Sequence, residues 1–389
     1  MKKIVVVGGG YGGLRLIEKL APLNSFEITL IDKNRYHYLQ TEVYKFLSGR
    51  SNICDITYNL NSFCAFFKNV KFINDEAVNI DSKRSFLICK NNRYFFDYLI
   101  IATGAIDFFP KTIKNIEKYS VSIKDLNSAF SFKQRFLKDL FEEIAFSKKI
   151  EIVIGGAGLS GVELAADLKS ISKECSKDIG QKNILNVTLI EASNTILPGS
   201  SKKIVEEANN RLKSLGIKII LNTPIIEVTQ NEIVLKDKKI EYDSFIFTGG
   251  IVGGDFIKNL NYPKNSKNQL IVDEYLKIDK NIFAIGDCAQ ILDINGNILP
   301  STAQIAEQSA EYVAKIISNK TKDRFNGKIY GMFIALGKNY AVGHILNRIF
   351  LKGRLANFVK MVITYLYSFN IKIKVNSGYR KRNFDKFYK

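Results

Sequence analysis

The stretch KIVVVGGGYGGLRLIEKL, residues 3–20, sets a short apolar run directly before a cluster of glycines and a helical pattern. KIVVV has the length and β-branched content of a buried parallel strand, and LRLIEKLAPL repeats its apolar residues at helical spacing. Between them Gly8, Gly10 and Gly13 form a GxGxxG turn. In that turn the first glycine permits the tight bend, the second lets a pyrophosphate approach the backbone, and the third lets helix and strand pack closely. The phosphate then meets unpaired N–H groups at the start of the helix. The following strand, EITLID, ends on Asp32, about twenty residues past the last glycine, where a carboxylate accepts from ribose hydroxyls. Taken alone the match is weak, because glycine-rich turns also join ordinary strands and helices.

The unit recurs. IEIVI at 150–154 runs through Gly156, Gly158 and Gly161 into VELAADLKSI, and VTLIEA ends near Glu191. Order is kept although spacing is looser, with Glu191 standing 30 residues past Gly161. An acid there repels a 2′-phosphate, and no arginine follows directly in Ala192-Ser193-Asn194, which favours NADH over NADPH. Each unit is followed by a strand ending in a polar turn, FDYLIIATG at Thr103-Gly104 and YDSFIFTGG at Thr248. A further strand, NIFAIGDCA at 281–289, precedes a helix expected from Thr302 to Ile317. The expected fold is α/β, with two Rossmann-like dinucleotide-binding domains, the second inserted in the first, and a C-terminal amphipathic segment. The first domain would comprise residues 1–115 and 268–330, the second 116–267, and the C-terminal region 331–389.

The totals suit this plan. A chain of 389 residues with 46% hydrophobic residues can bury two cores. Cys54, Cys64, Cys89, Cys175 and Cys288 are scattered without a CxxC pair, which points to a reducing compartment and to neither a disulfide framework nor a metal site. The apolar start is interrupted by Arg15, Glu18 and Lys19 and reads as a strand, not a signal peptide. No run reaches the length of a membrane span. The net charge of +19 is concentrated at the end, where eleven Lys or Arg face one acid, Asp385, from residue 340 onward. Within 345–373, Ile349, Leu355, Phe358, Val359, Val362, Ile363, Leu366 and Phe369 recur at three- and four-residue steps, with Lys352, Arg354 and Lys360 on other faces. That pattern fits a helix lying on an anionic membrane surface, or one packed against the protein's own core.

With these residues in view, the chain resembles the type II NADH:quinone oxidoreductases among the two-dinucleotide-domain flavoproteins. The resemblance covers nearly the whole chain and rests on GGGYGG at 8–13, IIATG at 100–104, GGAGLSGVELA at 155–165, AIGDCA at 284–289 and TAQIAEQSA at 302–310. It implies FAD in the first domain and NADH in the second, with a membrane quinone as acceptor, no proton pumping, and a peripheral place on the cytoplasmic face of the cell membrane. It implies that Gly286 and Asp287 of the GD motif bind the cofactor, Asp287 through its ribityl chain, and that Ala303, Gln304, Ala306 and Gln308 lie beside the flavin ring where quinone arrives. Gln304 and Gln308, four apart, would share one helix face. Glu163 falls near nicotinamide and flavin by the same resemblance, and Lys338 falls where the family carries a basic group near the quinone pocket. One departure is Thr41-Glu42 in NRYHYLQTEVY, where the family has a proline and an apolar residue. The nearby His37 reads as a structural histidine.

Rival readings stay open at this level. A sulfide:quinone oxidoreductase needs cysteines that are missing from 150–165 and after Cys288, and a disulfide reductase needs an early CxxxxC. A soluble NADH-dependent reductase of a small electron-transfer protein differs only in its acceptor. Nucleic acid as partner finds no recognised motif. The sequence is compatible with a homodimer and does not fix the oligomeric state.

Overall fold

The structure is a computed structural model that describes residues 1–146, 149–178, 184–346 and 348–387. Strand β1 (Lys2–Val7) leads through the first glycine turn into helix α1 (Tyr11–Leu20), and the chain returns in parallel as β2 (Phe26–Asp32). Short helices α2 (Val43–Leu47) and α3 (Leu60–Ala65) precede β3 (Val70–Asn74) and β4 (Tyr98–Ile101). The second unit repeats the plan with β5 (Ile150–Gly155), α4 (Leu159–Asp178), β6 (Leu185–Ile190), β7 (Lys218–Ile220) and β8 (Ser244–Phe247). The chain then rejoins the first sheet as β9 (Lys277–Asp279) and β10 (Ile282–Ala284).

Two sheets result, one ordered β9-β10-β4-β1-β2-β3 and one ordered β7-β6-β5-β8. β1 lies between β2 and β4, all parallel, in the register Ile4↔Ile28 and Ile4↔Tyr98. β5 lies between β6 and β8 in the same way. Buried on both faces, these strands read as continuous apolar runs, and Ile4, Val6, Ile28, Leu30, Ile100 and Ile154 are fully enclosed. In both sheets the glycine turn therefore opens at the carboxyl ends of the central strands, beside the point where strand order reverses, which is where such folds hold ligands. After β10, helix α5 (Ala303–Ile317) packs along α1 and is capped by the Thr302 hydroxyl, which accepts from Ile305 N–H at 3.3 Å.

The end of the chain departs from its sequence pattern. Instead of one helix over 345–373, an antiparallel sheet of β11 (Gly331–Ala335), β12 (Ala341–Ile345) and β13 (Ile349–Lys352) comes first, and helix α6 begins at Gly353 and reaches Phe387. Ile349 sits on a strand opposite Ile345. Local hairpin pairing prevails over helical spacing there, and Gly353, at φ +71°, makes the break into the helix. No helix among the described residues is long and apolar enough to cross a membrane.

Candidate active site

The two glycine turns are built alike. Gly8 has φ +106°, and a Cβ there would strike the Ala102 carbonyl; a Cβ on Gly13 would strike the carbonyl of Gly8. In the second turn Gly156 has φ +103° and is pressed against Thr248, and a Cβ on Gly161 would strike the carbonyl of Gly156. The middle glycines differ. Nothing lies within 4 Å of where a Cβ of Gly10 or Gly158 would stand. Each turn thus leaves an open cradle over the start of its helix, and α1 has no side chain capping its free N–H groups. A pyrophosphate fits that space and that polarity, so the residues present suit a dinucleotide in each unit.

The acids at the strand ends are engaged in matching fashion. Gly9 N–H donates to Asp32 at 2.6 Å, and Ala157 N–H donates to Glu191 at 2.7 Å. Burial raises the Asp32 pKa above its ordinary value, and the Gly9 and Asn34 N–H groups oppose that shift. At Glu191 burial acts in the same direction, but hydrogen bonds from Ser193 and Ala157 outweigh it and hold the carboxyl below its usual range. Ser193, which gives Glu191 both its N–H at 2.9 Å and its hydroxyl at 2.8 Å, had no signal in the sequence beyond its place after the acid.

Thr103 and Gly104 close β4, with Gly104 at φ +66° and open space beside it. Gly286, at φ +68°, would bring a Cβ to 3.1 Å from Ala306, so the start of α5 approaches the GD turn closely. Asp287 Oδ2 stands 3.4 Å from Lys124 Nζ, which also donates to Gln40 at 3.2 Å. Gln304 and Gln308 share one face of α5, as their spacing requires, and Ala303 is the helix's first residue. Their amides clasp backbone: Gln304 accepts from Tyr330 N–H at 2.7 Å, and Gln308 both donates to the Lys328 carbonyl at 2.7 Å and accepts from Lys328 N–H at 2.9 Å.

Glu163 is the fifth residue of α4, just past its first turn. Its carboxylate accepts from Ala335 N–H at 2.9 Å and pairs with Lys360 of α6, both side chains being largely buried. Lys360 also faces the Tyr44 ring at 5.2 Å and donates to the Phe333 carbonyl at 3.2 Å. Lys338 lies elsewhere, half exposed and 3.1 Å from Glu174. The basic group that reaches Glu163 is therefore Lys360, 197 residues away along the chain. Along α4 the acids continue. Asp167 accepts from Ser48 and stands 3.2 Å from Arg50 Nε, and Arg50 pairs with Glu174 at 2.7 Å. The Arg50 Nε contact is an ion pair by distance without hydrogen-bond alignment. Burial lifts Asp167 to about 6 despite Ser48 and Arg50.

His37 is 1% exposed, and its two ring nitrogens meet the Gly9 carbonyl at 2.9 Å and the Tyr367 hydroxyl at 3.0 Å. The departure Thr41-Glu42 is occupied by neighbouring contacts: Thr41 bonds Tyr11 at 2.8 Å, and Glu42 accepts from Thr364 of α6 at 3.2 Å. Burial lowers His37 from 6.5 to about 4. Below pH 6.5 the unfolded chain then binds a proton that the native one refuses, so stability is full above that pH and is lost as pH falls toward 4. The expected loss from this group is about 3 kcal/mol. Melting temperatures across that window should fall more steeply for the parent than for His37→Gln, and parallel curves would contradict the assignment.

Two nested strand–turn–helix units with open cradles define a two-dinucleotide oxidoreductase, and the sequence profile of the pyridine nucleotide-disulphide oxidoreductase family matches residues 2–310. The type II NADH:quinone oxidoreductase of Staphylococcus haemolyticus is 31% identical over 384 residues, covering 93% of this chain and 94% of that one. The Staphylococcus aureus protein of the same name is 30% identical with the same coverage. The chain belongs to the type II NADH:quinone oxidoreductases. Among solved structures, NDH2 from Plasmodium falciparum in complex with NADH has a TM-score of 0.82 at 22% identity, over 100% of this chain and 98% of that one. The sulfide:quinone oxidoreductase from Aquifex aeolicus has a TM-score of 0.78 at 20% identity, over 96% and 92%. At these identities the two structures speak for the fold.

Proposed function

We propose that residues 1–115 with 268–330 hold FAD, that 116–267 hold NADH, and that 331–389 carry the enzyme on a membrane surface. The activity is that of the family, NADH:quinone oxidoreduction: NADH + H⁺ + quinone gives NAD⁺ and quinol. The observation that carries the assignment is the pair of open cradles at Gly10 and Gly158, each with its acid one residue from the gap. FAD, when bound, supplies the two-electron carrier between a hydride donor and a quinone. The protein's part is orientation and charge. Asp32 and Glu191 take ribose hydroxyls, Thr103, Gly104, Gly286 and Asp287 border the flavin end, and Gln304 and Gln308 border the quinone.

The two glutamines fix residues 328–330, which lead directly into β11, and the last N–H of β11, on Ala335, reaches Glu163. The proposed acceptor wall, the C-terminal sheet and the acid of the second unit are thus one continuous hydrogen-bonded structure. Gln304→Ala and Gln308→Ala are expected to slow quinone reduction while flavin reduction by NADH, followed in stopped flow, stays near the parent rate. Equal damage to both half-reactions would make the clasp purely structural. For the donor side, kcat/KM should favour NADH over NADPH, and Glu191→Ala should narrow that preference roughly tenfold by removing a charge-assisted bond. A parent enzyme that uses NADPH equally well overturns the role given to Glu191.

Support for a membrane-bound quinone comes from α6. Leu355, Phe358, Tyr365 and Leu366 are each about 60% exposed, and Met361, Ile363, Phe369 and Ile373 are exposed beside them. A contiguous apolar face of this kind on a strongly basic helix suits the interface of an anionic bilayer.

A further inference from the structure

The face of α6 opposite the exposed apolar one is tied to the first glycine turn. His37 meets the Gly9 carbonyl at 2.9 Å through Nδ1 and the Tyr367 hydroxyl at 3.0 Å through Nε2. A carbonyl oxygen can only accept, so Nδ1 carries the proton and Nε2 accepts from Tyr367. Tyr11, the first residue of α1, closes the group, its ring edge-on to His37 at 5.1 Å and tilted against Tyr367 at 5.0 Å. The two peptide groups that meet at Gly9 are thereby both held, the N–H of one by Asp32 and the C=O of the other by His37.

The second turn shows what is unusual about this. There the matching N–H, on Ala157, also meets an acid, but the matching carbonyl accepts from Leu197 N–H at 2.8 Å, a backbone group of its own unit. In the first turn that task passes to a side chain whose orientation is set by a residue 330 positions away on the C-terminal helix. Further buried contacts seat the same helix on α1: Asn370 donates to Glu18 at 2.8 Å and Lys374 pairs with it at 2.9 Å.

We propose that His37 and Tyr367 are positioning residues for the phosphate-binding turn of the first unit, so that retention of FAD depends on the seating of α6. This rests on the assignment of FAD to the first unit. Gly9 lies between the tight-turn glycine and the open one, and if the Gly9–Gly10 peptide were free to rotate, the N–H of Gly10 would turn relative to the cradle. Preorganised donors bind without that reordering, and a loosened turn must be reordered at each binding event. The helix that carries the exposed apolar face is then also the support of the cofactor turn.

Tyr367→Phe isolates the link, since it removes one hydroxyl and keeps the ring against Tyr11. The flavin is stripped from full-length parent and variants, and FAD is titrated back by quenching of its fluorescence, with melting temperatures recorded for both apo and FAD-loaded forms. Tyr367→Phe is expected to weaken FAD binding roughly three- to tenfold, the worth of one buried hydrogen bond. The FAD-induced rise in melting temperature should shrink with it, while NADH affinity stays unchanged. A merely structural tyrosine would lower apo and loaded melting temperatures equally and leave the FAD dissociation constant at the parent value, and that result would overturn the proposal. Gly13→Ala separates the two ideas. If it leaves FAD affinity intact, the placement of FAD in the first unit falls; if it abolishes binding while Tyr367→Phe has no effect, the placement stands and the link through the helix falls.

Discussion

A chain cut after residue 344 is expected to fail as a folded protein, yielding insoluble material without bound flavin. The charge and apolar pattern of the last fifty residues alone suggest the opposite, a detachable anchor whose removal leaves a flavin-loaded core that NADH still reduces. The structure opposes that reading. The cut removes β13 from its pairing with β12 and strips α6 from α3, where Leu60, Phe63 and Cys64 are buried. The approach is so close that a Cβ on Gly378 would strike the Ser62 carbonyl. Glu163 and Glu18 lose Lys360 and Lys374, and Glu42 and His37 lose Thr364 and Tyr367. Leaving one buried charge unpaired costs about 3–5 kcal/mol, and a whole domain is stable by only about 5–15 kcal/mol. Glu18 keeps Arg15 at 3.0 Å, so Glu163 is the acid left without a cation, and that loss together with the uncovered apolar face of α3 uses up the margin.

The membrane question therefore needs substitutions that spare the inner face. Phe358→Ser with Leu366→Ser should give soluble protein carrying its full flavin absorbance that no longer sediments with anionic vesicles, whereas the truncated chain should yield no soluble flavin-loaded protein. A soluble truncated protein with one flavin per chain would show that α6 is an appendage.

What the sequence conveyed was local. A strand, a turn that only glycine can make and a helix succeed one another within about twenty residues, so spacing alone indicates where Gly8, Gly10 and Gly13 must lie. The same holds for Gln304 and Gln308, whose common face follows from the helix period, although the backbone they clasp does not. The apolar stripe of α6 was legible, but the seat of the helix on the rest of the enzyme was not, because its amphipathicity is inverted. Its inner stripe is Lys360, Thr364, Tyr367, Ile371, Lys374 and Gly378, mostly polar residues that hydrogen-bond to α1, α4 and the 37–42 segment, while the apolar stripe faces outward. In a single sequence a polar stripe is read as the solvated one. Its partners lie more than 150 residues away, and nothing short of the folded chain reveals them.

Replacing Lys360 by methionine should have the second large effect. Methionine fills a similar volume against Tyr44 but leaves the Glu163 carboxylate with only the Ala335 N–H, in a site where both partners of the pair are largely buried. The expected loss is about 3–5 kcal/mol, most of it the penalty of a stranded charge and not the net worth of the pair. That distinction can be measured. Glu163→Gln removes the charge and keeps an acceptor for Ala335 N–H, so the double variant Glu163→Gln, Lys360→Met should recover more than half of the stability lost by Lys360→Met alone. Denaturant melts of the four proteins form the cycle, and the coupling should exceed 1 kcal/mol, a typical value for directly contacting groups in one network. Because Glu163 also anchors β11, which the glutamine clasp of α5 holds at its other end, Lys360→Met should slow quinone reduction more than flavin reduction by NADH. If Lys360→Met is as stable as the parent and the double variant gains nothing, the pair is a solvated contact and α6 is not locked to the second unit through it.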